Sequence, residues 1–342
     1  MSIGDNILEQ LSNILEKDFG NLIDKKTILF TTTELLDVLK SKISLITKQL
    51  PNIEVIVVKE NSFDFAVELA KYICTNDIRM ILGMGGGTVL DTAKYASFVS
   101  KTTYIAIPTT LSNDGLASPI AVLYAENQRK KSFGSKIPDG LVIDISIIVK
   151  APKLLLQAGI GDTLSNYTAL YDWKLSCIDS GMRVNDFAYM LSEMSFNALL
   201  YSQERIISSS HCIKMLAQSL VLSGLSMQIA GNSRPCSGSE HLFSHAMDEL
   251  FDSKIPHGIL VALGSLVSCE LQGRDNKALL DYLNFYDITI NPQRLGITQD
   301  MFVKAWMFAK ETRLERVTIL NNIDLSPSLF ENEYNKLLEV CK

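Results

Sequence analysis

No paired cysteines, no surplus of positive charge and no apolar run expected to span a membrane occur in this sequence. Lysine and arginine number 32 against 38 aspartates and glutamates, a net charge of −6. Without a basic cluster interleaved with aromatics, nucleic-acid binding is excluded as a working reading, and Lys130-Lys131 is too short a run to change that. The six cysteines (Cys74, Cys177, Cys212, Cys236, Cys269, Cys341) contain no C-x-x-C pair. They read as free, mostly buried thiols in a reducing compartment. Met1-Ser2-Ile3-Gly4-Asp5-Asn6 has neither a basic nor an apolar leader character, so no signal peptide is expected and the cytoplasm is the default location. The most apolar stretch, Met215 to Ala230, includes Gln218, three serines and Gln228 and is shorter than a membrane span. It predicts a buried helix and no membrane insertion.

What is present is the composition of a globular protein, 47% hydrophobic and 20% charged over 342 residues, long enough for two cores. The first half alternates β-branched runs with helical patterns. Strands are predicted at Thr27–Thr31, Ile53–Val58, Arg79–Gly83, Thr103–Ile107 and Leu141–Asp144, with helices at Leu35–Leu50, Phe63–Cys74 and Thr88–Val99. Ile120 to Phe133 reads as a hairpin with its tip at residues 126–128. Strands separated by crossover helices imply a doubly wound, Rossmann-like parallel sheet. After Pro152 the patterns are helical, with breaks expected near Gly159-Ile160-Gly161, Gly231-Asn232, Pro256 and Asn291-Pro292. The reading is an α/β domain over 1–150 followed by an all-helical domain over 151–342. Its apolar helices leave a homo-oligomer open.

Three segments carry chemistry. Gly83-Met84-Gly85-Gly86-Gly87-Thr88 joins a strand to a helix. Glycines there let backbone N–H groups approach a pyrophosphate at the positive end of the helix, although the spacing is not G-x-G-x-x-G and a plain turn is the alternative. Asp91, one turn into that helix, either favours the dipole or holds the loop or a ribose hydroxyl. The next strand ends in Pro108-Thr109-Thr110-Leu111-Ser112-Asn113-Asp114-Gly115-Leu116-Ala117-Ser118-Pro119, a hydroxyl-rich loop suited to a nucleotide, or else a polar turn.

The third is a histidine cluster. Of four histidines, His241, His245 and His257 fall within seventeen residues. An i, i+4 pair shares a helix face, and imidazole is the commonest ligand of a catalytic divalent metal. Asp162, in Gly159-Ile160-Gly161-Asp162, is either a helix N-cap or a ligand. With His241 and His257 it would make three ligands with positions left open, the pattern of a catalytic site. His245 would then stand one turn away, close to substrate, and His211 reads as structural or superficial.

Taken together, these segments resemble the metal-dependent alcohol dehydrogenases of the dehydroquinate-synthase-like fold, and among them the sn-glycerol-1-phosphate dehydrogenase family. The resemblance rests on residues 85–91 and 108–115, on Gly161-Asp162 with Ser165-Asn166-Tyr167-Thr168-Ala169, and on Ser237-Gly238-Ser239-Glu240-His241-Leu242-Phe243-Ser244-His245. Pro256-His257-Gly258 and Arg313 to Leu320 complete it. It implies reversible hydride transfer between NAD or NADP and a small phosphorylated substrate, dihydroxyacetone phosphate, giving sn-glycerol 1-phosphate. It implies that Gly85, Gly86, Gly87, Thr88, Val89, Leu90, Asp91, Thr109, Thr110, Leu111, Ser112 and Ser118 bind the dinucleotide. Asp162, His241 and His257 would hold zinc, or alternatively nickel. Asp114 and His245 would act catalytically on a substrate that Asp162 also contacts. A polyol dehydrogenase or a dehydroquinate-synthase-like lyase of the same fold are the rival readings. The chain departs from the pattern at Thr31-Thr32-Thr33-Glu34, which leaves NADP(H) open, and at Ile259, where relatives often carry a glutamate that could orient a ligand. Lys131, Lys136 and Arg234 are the candidate phosphate partners.

Overall fold

A computed structural model describes residues 1–126, 129–181, 183–204 and 206–340. The predicted hairpin tip at Asn127 and Gln128, and Cys341, lie outside these. By compactness the chain forms two units, Met1–Leu111 with Gly115–Ala151, and Ser112–Asp114 with Pro152–Lys342.

The first unit is built on β1 (Ser2–Gly4), β2 (Thr27–Thr31), β3 (Ile53–Val57), β4 (Met80–Gly85), β5 (Thr103–Pro108) and β8 (Gly140–Asp144), with β6 (Ile120–Tyr124) and β7 (Lys130–Gly134) forming an antiparallel hairpin. The six strands lie in the order β1-β8-β5-β4-β2-β3, and every neighbouring pair is parallel. Burial on both faces is why β2 and β4 read as unbroken apolar runs. On one face Leu29, Met80, Leu82, Met84, Ile105, Ile107 and Val142 share a core with residues of α1 (Leu11–Phe19) and α3 (Lys40–Gln49). On the other, α5 (Gly87–Ser100) lies close on β4, because Gly83 leaves room for Ala93 and Tyr104. Tyr104 Oη donates to the carbonyl of Leu90 at 3.2 Å. The Rossmann-like parallel sheet expected from the sequence is therefore present. α4 (Phe63–Thr75) packs beside α5, and α6 (Ile145–Ile148) follows β8.

Two local readings change. The single helix expected over Leu35–Leu50 is two, α2 (Thr33–Val38) and α3, divided at Leu39. Leu36 and Leu39 still join Ile43 and Ile46 against one core, at the spacing of a single helix face. β1 had no signal, since three residues show no alternation; it exists through pairing with Val142–Asp144.

In the second unit no strand occurs among the described residues. Its helices are α7 (Lys153–Leu164), α8 (Asn166–Ser180), α9 (Asp186–Leu200), α10 (Ser210–Ala230), α11 (Ser239–Phe251), α12 (His257–Leu271), α13 (Lys277–Phe285), α14 (Gln299–Phe308) and α15 (Pro327–Val340). α10 meets the length and apolarity of a membrane helix, yet it packs along α9 with Ile213, Leu216, Leu220 and Met227 buried. Asn166 Nδ2 donates to both Ser195 and Ser223 Oγ at 2.8 Å, satisfying the buried hydroxyls where α8, α9 and α10 meet. The break expected at Gly159-Ile160-Gly161 is absent, and α7 runs through it.

Candidate metal centre

The glycines that suggested a helix end instead let two helices touch. A Cβ on Gly161 would strike the carbonyl of Gly258, and one on Gly258 would strike the backbone of Ala158. α7 and α12 therefore cross in backbone contact. Asp162, one residue beyond Gly161, and His257, one before Gly258, meet there. Asp162 lies in the last turn of α7, not at its start, so the N-cap alternative falls.

α11 supplies the rest. His241 and His245 stand one turn apart with ring centroids 6.3 Å apart, and His241 lies 5.0 Å from the His257 ring. Asp162 Oδ1 is 3.7 Å from His257 Nε2 and 4.0 Å from His241 Nε2, and one donor atom from each of the three lies within 4.8 Å of the others. Ligands about 2.1 Å from a tetrahedral zinc stand roughly 3.4 Å apart. The two distances from Asp162 exceed that spacing by a few tenths of an ångström, and the whole set spans no more than 4.8 Å. The His257 side chain remains 31% exposed, leaving an approach for a further ligand.

The charges fit the same occupant. Burial lifts the Asp162 pKa well above the usual carboxylate range, and the charges of Asp114 and Glu240 lift it further. Burial also pushes His241 down to about 3, helped by Arg316 and Arg313. Neutral imidazoles beside buried acids are what a divalent cation requires. Asp162 Oδ2 accepts the backbone N–H of Asp114 at 2.8 Å, which leaves Oδ1 to face the histidines.

Supports behind the ligands were only partly legible. Glu240 is fully buried, and its Oε1 is 2.8 Å from His241 Nδ1. Oε1 also accepts the Gly238 N–H, and Oε2 accepts the Thr168 hydroxyl at 2.9 Å. A carboxylate occupied in this way places the proton on Nδ1 of His241 and directs the Nε2 lone pair toward Asp162. Ser244 Oγ is 2.9 Å from His257 Nδ1. The orienting bond that Ile259 cannot make is thus supplied elsewhere, and Ile259 is buried in the core. Asp172, for which no role was expected, accepts the Ser239 N–H at 2.7 Å and the Ile319 N–H at 2.9 Å. Its pKa is raised to about 6, by burial first and then by Glu240.

His245 faces a different field from the one its sequence suggested. Burial, then the charges of Arg313, His257, His241 and Arg316, hold its pKa well below the ordinary histidine value. It is a neutral imidazole at pH 7. His211 is exposed in the first turn of α10.

In the first unit, Gly86 caps α5 at the carboxyl end of β4, and Thr109 N–H donates to the Gly85 carbonyl at 3.0 Å beside the end of β5. A Cβ on Gly87 would meet nothing within 4 Å, and the nearest atom to one on Gly86 is Thr110 Oγ1 at 3.8 Å. The turn is an open cradle that side chains would fill, which suits backbone contact with a pyrophosphate. Thr88 is exposed, whereas the side chains of Val89 and Leu90 point into the core, so these two could meet a coenzyme only through the backbone. Leu111 is buried, Thr110 and Ser112 are half-buried, and Ser118 Oγ donates to the Ile120 carbonyl at 3.4 Å. Asp91 is paired with Lys94 at 3.1 Å and accepts the Val122 N–H. Lys94 in turn donates to the carbonyls of Gly115 and Ile120, so Asp91 holds the loop. Glu34 is exposed at the start of α2. Lys131 is exposed on β7, and Lys136 pairs with Asp139 at 2.6 Å.

Known proteins resemble this chain in sequence and in fold. A family profile described as iron-containing alcohol dehydrogenase matches residues 2–152. Glycerol-1-phosphate dehydrogenase (NAD(P)+) of Pyrococcus horikoshii is 33% identical over 319 residues, 93% of this chain and 91% of that protein. The enzyme of the same name from Methanosphaerula palustris is 34% identical over 321 residues, 94% of this chain and 88% of its own. Among solved structures, glycerol dehydrogenase from Schizosaccharomyces pombe superposes with a TM-score of 0.79 at 22% identity, covering 99% of this chain and 88% of that one. Sulfoacetaldehyde reductase from Bifidobacterium kashiwanohense, in complex with NAD+, gives 0.74 at 15% identity, covering 98% and 96%. At such identities the structures establish the fold.

Proposed function

Because this chain belongs to the glycerol-1-phosphate dehydrogenase family, we propose that it reduces dihydroxyacetone phosphate to sn-glycerol 1-phosphate with NAD(P)H and a divalent metal. The observation that carries the reading is the meeting of Asp162, His241 and His257 around one point. A cation held there, zinc with nickel as the alternative, supplies Lewis-acid stabilisation of the negative charge that builds on a ketone oxygen during reduction, and the reduced nicotinamide supplies the hydride.

The protein's own groups do the rest. Asp114 steadies Asp162 through its backbone N–H, and its side chain serves the substrate hydroxyl. The turn at residues 85–91 and the loop at 109–112, with Ser118, hold the dinucleotide, chiefly through backbone N–H groups at the start of α5. His245, neutral and beside His257, donates a hydrogen bond to the substrate oxygen through its ring N–H, and the proton that completes the alcohol passes along that bond from water. Replacing His245 with alanine is expected to lower kcat about 100-fold, with the bound metal retained. Loss of the metal from that variant would make His245 a ligand and contradict the role.

The test of the reaction is turnover of dihydroxyacetone phosphate with NADH and with NADPH, set against unphosphorylated dihydroxyacetone. Net coenzyme oxidation, fast with the phosphate ester and at least tenfold slower without it, is the expected result. Equal turnover of both would favour a polyol dehydrogenase, and no net oxidation with either would favour a lyase.

A further inference from the structure

Among the described residues, Lys94 on α5 is the only lysine without exposed surface. An ammonium group carries three donors, and burying it is costly unless each finds an acceptor. Lys94 Nζ donates to Asp91 Oδ1 at 3.1 Å, to the Ile120 carbonyl at 2.7 Å and to the Gly115 carbonyl. The second oxygen of Asp91 accepts the Val122 N–H at 3.2 Å. A buried ion pair adds little net stability, because desolvation offsets the attraction. What this one supplies is a fixed geometry for the segment that follows β5.

That segment is pinned along its length. At its start the Thr109 N–H donates to the Gly85 carbonyl at 3.0 Å. At its end Ala121 and Leu123 pack with Ala66 against Tyr95 and Phe133. Between these points Asp114 and Gly115 open a short 3-10 turn, Asp114–Leu116. The Asp114 N–H donates to Asp162 Oδ2 at 2.8 Å, and the carbonyl of the next residue accepts from Lys94. Two adjacent residues thus carry one hydrogen bond to a metal ligand and one to a buried ammonium. The planar peptide bond and the tight turn leave the Asp114 N–H little freedom once the Gly115 carbonyl is fixed.

We propose that Lys94 is a positioning residue for the divalent cation: through Gly115 it holds the Asp114 N–H that keeps Asp162 Oδ1 turned toward the histidines. The inference rests on the cation reading above and extends it to a residue outside the ligand set. It also gives α5 a second task. The helix that begins at the proposed coenzyme turn anchors, two turns further on, the loop that orients a metal ligand. Groups that orient a ligand in this way commonly carry roughly ten- to a hundredfold of the metal affinity.

Replacing Lys94 alone would leave Asp91 buried without its partner, so the pair is removed together in Asp91→Asn/Lys94→Met. Zinc affinity of the folded double variant, measured by competition with a chelating indicator, should fall roughly tenfold. The visible absorption of the cobalt(II)-loaded protein, which reports ligand geometry, should change as well. Lys94→Gln, whose amide is one bond too short to span both carbonyls, should show the same two effects and serves if the double variant does not fold. A purely structural role predicts a lower melting temperature with the parent's zinc affinity and the parent's cobalt spectrum. That outcome in either folded variant would overturn the proposal. If the parent itself binds no zinc, the cation reading fails and this inference falls with it, whereas equal zinc binding by parent and variants rejects the inference alone.

Discussion

Asp162→Asn should lose at least about a thousandfold in kcat/KM for dihydroxyacetone phosphate, since Lewis-acid assistance of this kind is worth several kcal/mol of barrier. The substitution preserves shape. The Asn oxygen can still accept the Asp114 N–H that Asp162 Oδ2 accepts at 2.8 Å, while its amide group faces the histidine nitrogens. Folding is not the casualty, because the native carboxyl is held well above its usual pKa by burial and by neighbouring acids. Ionised, it disfavours the empty fold, so metal-free Asp162→Asn should melt no lower than metal-free parent. A variant that melts lower and keeps its activity would mean that Asp162 is a structural acid. Measuring melting temperature and rate on the same preparation separates the two roles.

The second large effect is expected at a residue with no side chain. Gly258→Ala places a methyl group against the backbone of Ala158, which has no rotamer with which to yield. α7 and α12 must separate, at a cost of about 3 kcal/mol or more. For a unit of this size that is a fall of roughly 6–12 °C in the melting temperature. Because Asp162 and His257 flank this contact, the same change should weaken metal binding, and added metal should raise the variant's melting temperature less than the parent's. A melting temperature within about 2 °C of the parent would show that the helices do not lie in backbone contact, and the geometry that joins the ligands would lose its cause.

These two sites mark how far the sequence could be read. The parallel sheet was legible because strands such as Thr27–Thr31 are buried on both faces and so appear as unbroken apolar runs. The histidines on α11 were legible because their spacing matches the helical period. Gly159-Ile160-Gly161 misled because glycine signals both a helix end and a helix crossing, and only the partner, Gly258, distinguishes them. Glu240 went unnoticed because its work is done through its immediate neighbour, His241, and adjacent positions on a helix do not ordinarily face each other. For His245 the residue was visible but not its state. Its ordinary pKa suggested an acid near neutrality, whereas burial first, and then a set of charges led by Arg313, about seventy residues along the chain, hold it neutral.

The claim beneath all of this is that Asp162, His241 and His257 share one divalent ion. Metal content of the purified protein, measured beside that of Asp162→Asn after equal dialysis against zinc, tests it most directly. About one ion per chain in the parent and close to none in the variant is the predicted result. Equal metal in both, or none in either, would contradict it.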